Sequence, residues 1–126
     1  MKKEIFIGCF LVLMLAAAIV NIHFLTKLTD NVVNLIEDSE KYAGQGDWET
    51  AEKKAEEAAR LWSDSDTYTH LVLRHPEVET AMDAIYGFME EIYAKEEGAA
   101  KGAAEAAISR MQSISAIEQI KIGSIF

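Results

Sequence analysis

The residues of this sequence best suited to chemistry are two histidines, His70 and His75, which lie among acidic and hydroxyl side chains in the stretch RLWSDSDTYTHLVLRHPEVE. Two metal ligands on one face of a helix are three or four residues apart. These histidines are five apart, and Pro76 follows the second one directly and disfavours helix there. We therefore predict no metal site and no bound cofactor, and interpret His75 and Pro76 as a structural hinge.

Acid–base and nucleophilic chemistry have equally little support. Glu77 and Glu79 are two residues apart, which places them on different faces of a helix. The only cysteine, Cys9, lies in an apolar segment, so the rest of the chain offers no thiolate. No serine has the glycine-flanked setting of a hydrolase nucleophile. We predict that this protein is not an enzyme.

The C-terminal residues form a candidate partner-binding tail. Ser124, Ile125 and Phe126 follow the pattern of a hydroxyl residue, any residue and an apolar residue at the end of the chain. PDZ-type domains bind such an end by adding it as a β-strand and holding its carboxylate with backbone amides. The simpler alternative is that Ile122, Ile125 and Phe126 fold back onto the protein's own core.

Composition limits the partners. The chain has 126 residues, half of them apolar, and a formal net charge of −9, which fits one modest domain. Lys2, Lys3 and Glu4 are the only charged residues before Lys27, so the remainder carries ten basic and twenty acidic residues. Such an acidic surface repels nucleic acid and anionic membranes. We predict no nucleic-acid partner.

The N-terminal region has the strongest signal in the sequence. Residues 5–25 form a run of 21 residues without a formal charge, about the 20 that a helix needs to cross the hydrocarbon core of a bilayer. Lys2 and Lys3 precede this run and favour a cytoplasmic N-terminus. We predict that residues 1–26 are a single-pass anchor in the cell membrane and that residues 27–126 are an extracytoplasmic domain.

Two alternatives remain open for this apolar run. Ala16, Ala17 and Ala18 resemble a signal-peptidase site, and cleavage after Ala18 would release a soluble, secreted protein. The apolar residues continue to Leu25, which favours retention. A lipoprotein is disfavoured because its cysteine should close the apolar region, whereas Cys9 nearly opens it.

Beyond the anchor, apolar residues recur every three or four positions, which predicts helices throughout. The first helix continues outward from the anchor and ends at Gly44 and Gly46, and Asp47 caps the next one. We predict that this second helix is continuous to about Leu73, although the Ser and Asp residues near Asp64 leave a break open.

The remaining elements follow from a proline and a glycine. Pro76 suits the first turn of a third helix, with His75 at the junction, and a break or weak turn near Gly98 precedes the last helix. Short connections then predict an all-α fold, an antiparallel three- or four-helix bundle. We expect a core that contains Trp48, Trp62, Val78, Ile85 and Ile114. An apolar helical stripe also suits a dimer seam, so a homo-oligomer stays open.

Two resemblances add to this interpretation. The basic start, the apolar helix and the segments GDWETAEKKAEEAARLW and HPEVETAMDAI resemble a small uncharacterised family of membrane-anchored helical proteins from Gram-positive, often spore-forming, bacteria. Trp62, His75, Glu77 and Ile125 carry that resemblance, which implies a host and a topology but no activity. The segment around Gly46 and Trp48 is also similar to a tetratricopeptide helix pair, although no second repeat follows.

These observations favour interaction over catalysis. We predict a membrane-anchored helical accessory protein of the bacterial envelope, whose partner is an unidentified membrane or envelope protein. The alternative is a secreted soluble binder that acts through the tetratricopeptide-like pair.

Overall fold

The computed structural model describes residues 1–125, apart from the side chains of Val72, Lys121, Ile122, Ser124 and Ile125. Throughout this range the ordered elements are helices and no strand is present. The five helices are α1 (Lys2–Gly44), α2 (Trp48–Asp64), α3 (Asp66–Val72), α4 (His75–Tyr93) and α5 (Glu97–Ile125). The predicted all-α fold is confirmed.

Four of these helices pack as an antiparallel bundle around one core. α1 contacts α2, α2 contacts α4, α4 contacts α5, and α5 contacts α1, so the ring of helices is closed. We call the end at which α1 enters the bundle, at Leu25, the near end, and the opposite end, at Gly44, the far end. α2 and α5 both run from the far end to the near end, and α3 continues from α2 to the near end.

The core combines large side chains with alanines that let the helices approach closely. Trp62, Ile85 and Phe88 are fully buried beside a row of alanines on α2 and another on α5. Val78 and Ile114, which the sequence also placed in the core, are buried as well. Trp48 differs from that expectation, since it is only partly buried and packs against the edge of the core. It is the first residue of α2 and therefore lies at the far end, where fewer side chains surround it.

The connection from α1 to α2 follows the pattern seen in the sequence. α1 ends at Gly44, and Gly46 adopts a positive φ of 80° that L side chains rarely adopt. The Asp47 carboxylate then accepts a hydrogen bond from the Thr50 amide at 3.3 Å and caps α2.

The predicted continuous helix to Leu73 is wrong, because the chain breaks at Ser65. The Ser65 hydroxyl donates a hydrogen bond to the Leu61 carbonyl at 3.0 Å. This carbonyl lies in the last turn of α2. This is the competition with backbone hydrogen bonds that serine and aspartate offer. The break separates α3 from α2.

The other two junctions lie close to their predicted places. α4 begins at His75 with Pro76 in its first turn, and the Arg74 amide donates to the Glu77 carboxylate at 3.4 Å. The turn between α4 and α5, predicted near Gly98, lies a few residues earlier. Lys95 has a φ of 58°, and α5 already begins at Glu97.

Candidate functional site

The N-terminal part of α1 projects from the bundle with its apolar side chains exposed. Among the described residues, α1 is the one helix long and apolar enough to cross a membrane, and its most apolar window is not buried at all. A signal sequence shares these properties, so length and composition fit both. An exposed apolar surface of this size is typical of a segment that is buried in a bilayer or against another protein.

No linker separates this projecting part from the bundle. α1 is a single helix of 43 residues, and Leu25, within the predicted anchor range, is already 0% exposed in the bundle core. Leu28, Val32 and Ile36 continue the same buried stripe. The direction of the apolar part is therefore set by the packing of the bundle.

At the near end, α3 is held against the projecting part of α1. The Tyr68 hydroxyl donates to the Asn21 carbonyl at 3.0 Å and also contacts the side-chain oxygen of Asn21. The Phe24 and Tyr68 rings meet edge to face with centroids 4.5 Å apart. Burial, together with the nearby Glu118, raises the pKa of Tyr68.

An apolar groove of about 360 Å³ lies beside these contacts. It is lined by Ala17, Val20, Asn21, Phe24 and Tyr68. The groove joins the projecting helix to α3, so any material that covers the apolar part of α1 also contacts α3.

The two histidines meet at the corner between α3 and α4. Their ring centroids are 5.5 Å apart. His70 Nδ1 lies 2.8 Å from the Asp66 carboxylate, whereas His75 Nε2 lies 2.9 Å from the Glu79 carboxylate. Each ring thus faces its own acidic neighbour. Within residues 1–125, no group of three or more His, Cys, Asp or Glu side chains has the arrangement of a metal site. The hinge role of His75 and Pro76 and the lack of a metal site stay predictions.

The far end contains a cavity of about 390 Å³ between the end of α1 and the start of α5. Glu37, Glu40, Lys41, Glu97 and Lys101 line it together with small residues. Burial raises the pKa of Glu40, Glu105 raises it further, and Lys101 opposes this change. This cavity could not be predicted from the sequence, because it depends on two helix ends that are far apart in the chain.

The acidic face of α2 is exposed and only weakly paired. Glu49 and Lys53 lie 3.7 Å apart, and Lys54 and Glu57 lie 3.8 Å apart, both at spacings within one helix. Such exposed pairs contribute little to stability. These charges are therefore available to a partner surface.

A tyrosine links this face to α4. The Tyr93 hydroxyl donates to the Glu56 carboxylate at 2.6 Å. This hydrogen bond, with smaller effects of burial and of the Glu52 charge, raises the pKa of Tyr93 to about 12.

The candidate tail lies at the limit of the described chain. The α5 backbone is helical to Ile125, while the side chains of Ser124 and Ile125 and the whole of Phe126 lie outside the described residues. Recognition of Ser124, Ile125 and Phe126 as an extended strand stays a prediction. It would require the last turn of α5 to unwind.

Comparison with known proteins places this arrangement in a family. A model described as a domain of unknown function, DUF4363, matches residues 19–125. The chain belongs to this family. No curated protein and no solved structure matches it significantly. The DUF4363 match includes Asn21, Phe24 and Tyr68, so the near-end contacts lie inside the region that defines the family.

The expectation of an uncharacterised family is thereby confirmed. Membrane anchoring and a Gram-positive host remain predictions.

Proposed function

We propose that this DUF4363 protein is a membrane-anchored, non-enzymatic helical accessory protein of the bacterial cell envelope. The observation that carries the proposal is the continuity of α1, which runs as one helix from an exposed apolar end into the bundle core. A helix without a linker holds the bundle at a set position and orientation relative to the membrane. That arrangement suits a module that presents a surface to a membrane or envelope protein.

The charge distribution supports an extracytoplasmic bundle. Lys2 and Lys3 flank the apolar run on its N-terminal side, where the positive-inside tendency keeps them in the cytoplasm. The acidic bundle then lies outside, where the exposed carboxylates of α2 are the main features that a partner would meet. We expect no metal, cofactor or nucleic acid to be involved.

Membrane fractionation with protease treatment tests the anchor and its topology. We expect the full chain to stay in the membrane pellet after an alkaline wash. Protease added to intact spheroplasts should digest the bundle and leave the N-terminal part of α1 protected. Release by the wash, or a bundle that is protected until the membrane is opened, would contradict the proposal.

Crosslinking from intact membranes tests the role in interaction. The full chain is compared with a chain that lacks residues 124–126 and with a Glu49→Gln, Glu57→Gln variant of the exposed α2 face. Loss of one crosslinked species in one of these variants, with helicity unchanged, would locate the partner surface. A crosslinking pattern that is the same in all three chains would show that neither surface is used.

One observation favours a second candidate, a secreted soluble binder. The family match begins at residue 19, directly after Ala18, so cleavage there would leave the whole matched region intact. The mass of the mature protein decides between the two. A mass that begins at Ile19 supports the secreted binder, whereas the full-length mass supports the anchor.

A further inference from the structure

The register between α1 and α5 fixes how far α5 extends along the apolar part of α1. The Thr26 and Ser115 hydroxyls are 3.0 Å apart, which sets these two residues at the same level of the antiparallel pair. α5 continues as a helix to Ile125, ten residues or about 15 Å beyond Ser115. Its end therefore lies near the level of Ala16, well inside the apolar run of α1.

The thickness of a bilayer then constrains where the last turns of α5 can lie. A hydrocarbon core of about 30 Å needs about 20 helical residues, which from Ile5 extends to Phe24. If the end of α5 lay above the membrane surface, only residues 5–16 would remain for the crossing, about 18 Å. That length is too short. In an anchored chain, the last two turns of α5 must lie in the outer leaflet beside α1.

The side chains at the near end fit such a position. Leu71 on α3 is 80% exposed, and Ile117 and Ile120 on α5 are 41% and 69% exposed. Glu118, between those two isoleucines, is turned inward and is only 7% exposed. On this turn of α5, apolar residues thus point outward and the acidic one points towards the bundle, the reverse of the pattern on a surface that faces water. On α3, Leu71 shares the surface with Asp66, whose side chain is 65% exposed.

Aromatic residues mark the same level. Tyr68 is bonded to Asn21, and Phe24 packs on its ring, so both rings lie near the outer end of a span that starts at Ile5. Tyrosine is enriched at this depth because its hydroxyl contacts the headgroups while its ring contacts the acyl chains. The groove between Val20 and Tyr68 opens at this level.

We infer that the near end is a lipid-contacting collar, formed by α3 and residues 117–120 of α5 around α1. Its partner is the phospholipid of the outer leaflet, at the boundary between headgroups and acyl chains. The bundle therefore sits partly in the membrane and does not stand above it on a stalk. This inference rests on the proposed anchor and adds a second, larger contact with the bilayer.

Spin-label accessibility in vesicles tests the collar. The full chain carries Cys9→Ser, so that single cysteines can be labelled, and is reconstituted in vesicles of phosphatidylcholine and phosphatidylglycerol. Leu71→Cys and Ile120→Cys report on the collar. Ala99→Cys, exposed on α5 at the far end, is the matched control in water, and Leu13→Cys reports on the span. The readout is relaxation by oxygen, which concentrates in lipid, relative to relaxation by a water-soluble nickel chelate.

We expect the oxygen-to-chelate ratio at Leu71→Cys and Ile120→Cys to be severalfold higher than at Ala99→Cys and closer to that at Leu13→Cys. Ratios at both collar positions equal to Ala99→Cys, with Leu13→Cys still in lipid, would overturn the collar and leave the anchor intact. If Leu13→Cys itself is accessible to the chelate, the anchor is wrong and the collar falls with it.

Discussion

Two tyrosines hold helices together at opposite ends of this bundle, in different electrostatic surroundings. Tyr68 donates to the neutral backbone carbonyl of Asn21 at the near end, whereas Tyr93 donates to the carboxylate of Glu56 towards the far end. A hydrogen bond to an ionised acceptor is stronger than one to a neutral acceptor. It also favours the protonated phenol, so the pKa of Tyr93 reports directly on this contact.

The Glu56→Gln variant should bring the pKa of Tyr93 down from about 12 towards its ordinary value of 10. Because the folded-state pKa is the higher one, this contact stabilises the fold fully below about pH 10 and is lost as the pH rises through about 12. Ultraviolet titration of tyrosinate measures the change. The titration step that is absent from the Tyr93→Phe variant belongs to Tyr93. If the step of Tyr93 stays near pH 12 in Glu56→Gln, the hydrogen bond to Glu56 is not the cause of the raised pKa.

Glu40 illustrates the opposite balance, a carboxylate whose charge the fold disfavours. Burial and Glu105 raise its pKa above the ordinary value of 4.5, so its ionisation weakens the fold as the pH rises beyond the unfolded value. We expect Glu40→Gln to be more stable than the native chain at neutral pH, with the difference vanishing in acid. Lys101→Ala is the matched control and should lower stability at neutral pH. Thermal melts at several pH values measure these differences. A lower melting temperature for Glu40→Gln than for the native chain at neutral pH would contradict the prediction.

The two tryptophans differ in burial and should differ in energy. Trp62 is 1% exposed, and its indole Nε1–H has no hydrogen-bond partner among the described residues. Trp62→Ala should therefore cost about 3–5 kcal/mol of unfolding free energy, mostly through the cavity it leaves. Trp62→Phe should cost less, because no hydrogen bond is lost. Trp48→Ala, at the edge of the core, should also cost less. Denaturant unfolding measures these losses, and a larger loss of unfolding free energy in Trp48→Ala than in Trp62→Ala would contradict the central position of Trp62.

At the scale of elements, the sequence predicted helices and several ends well. Spacing of apolar residues identified the buried face of α2, and Pro76 identified the start of α4, because both depend on neighbours in the chain. At Ser65 the sequence favours a continuous helix, because the apolar spacing continues across this residue, whereas the structure has a break there. The competition between a serine hydroxyl and the helix is decided by where α3 must pack, which local sequence does not encode.

Glycine positions make this element-level argument testable. Gly46→Ala should lower the unfolding free energy by roughly 1–2 kcal/mol, because the turn needs a φ of 80° that disfavours a Cβ. Gly44→Ala is the matched control two residues earlier, at the end of α1. Its Cβ would lie 3.8 Å from a Glu97 oxygen, an ordinary contact, and the alanine favours helix. Equal losses in the two variants, measured by denaturant unfolding, would show that the turn is not the cause.

At the scale of the whole molecule, the near end was the part least accessible from sequence. The run of residues 5–25 and the isoleucines of α5 were visible separately, yet nothing local relates them. Their relation depends on the Thr26–Ser115 register and on the direction of α5, which are properties of the assembled bundle. The helix break at Ser65 contributes too, because it lets α3 place Tyr68 against Asn21. The candidate site thus arises from tertiary packing of elements that were mostly predicted one by one.

Truncation separates the two roles that α1 combines. A chain of residues 19–126 keeps every described residue of the bundle core, since burial on α1 begins at Leu25. It should unfold in detergent with the same free energy as the full chain. A chain of residues 29–126 loses Leu25, Leu28 and the Asn21 partner of Tyr68, and should lose several kcal/mol, at roughly 2–5 kcal/mol for each large buried side chain. Circular dichroism during denaturation measures both.

If the shorter deletion were as damaging as the longer one, the exposed part of α1 would have to support the fold as well as cross the membrane. If only the longer deletion is damaging, residues 1–18 contribute to the membrane span alone, while residues 19–28 complete that span and join it rigidly to the bundle.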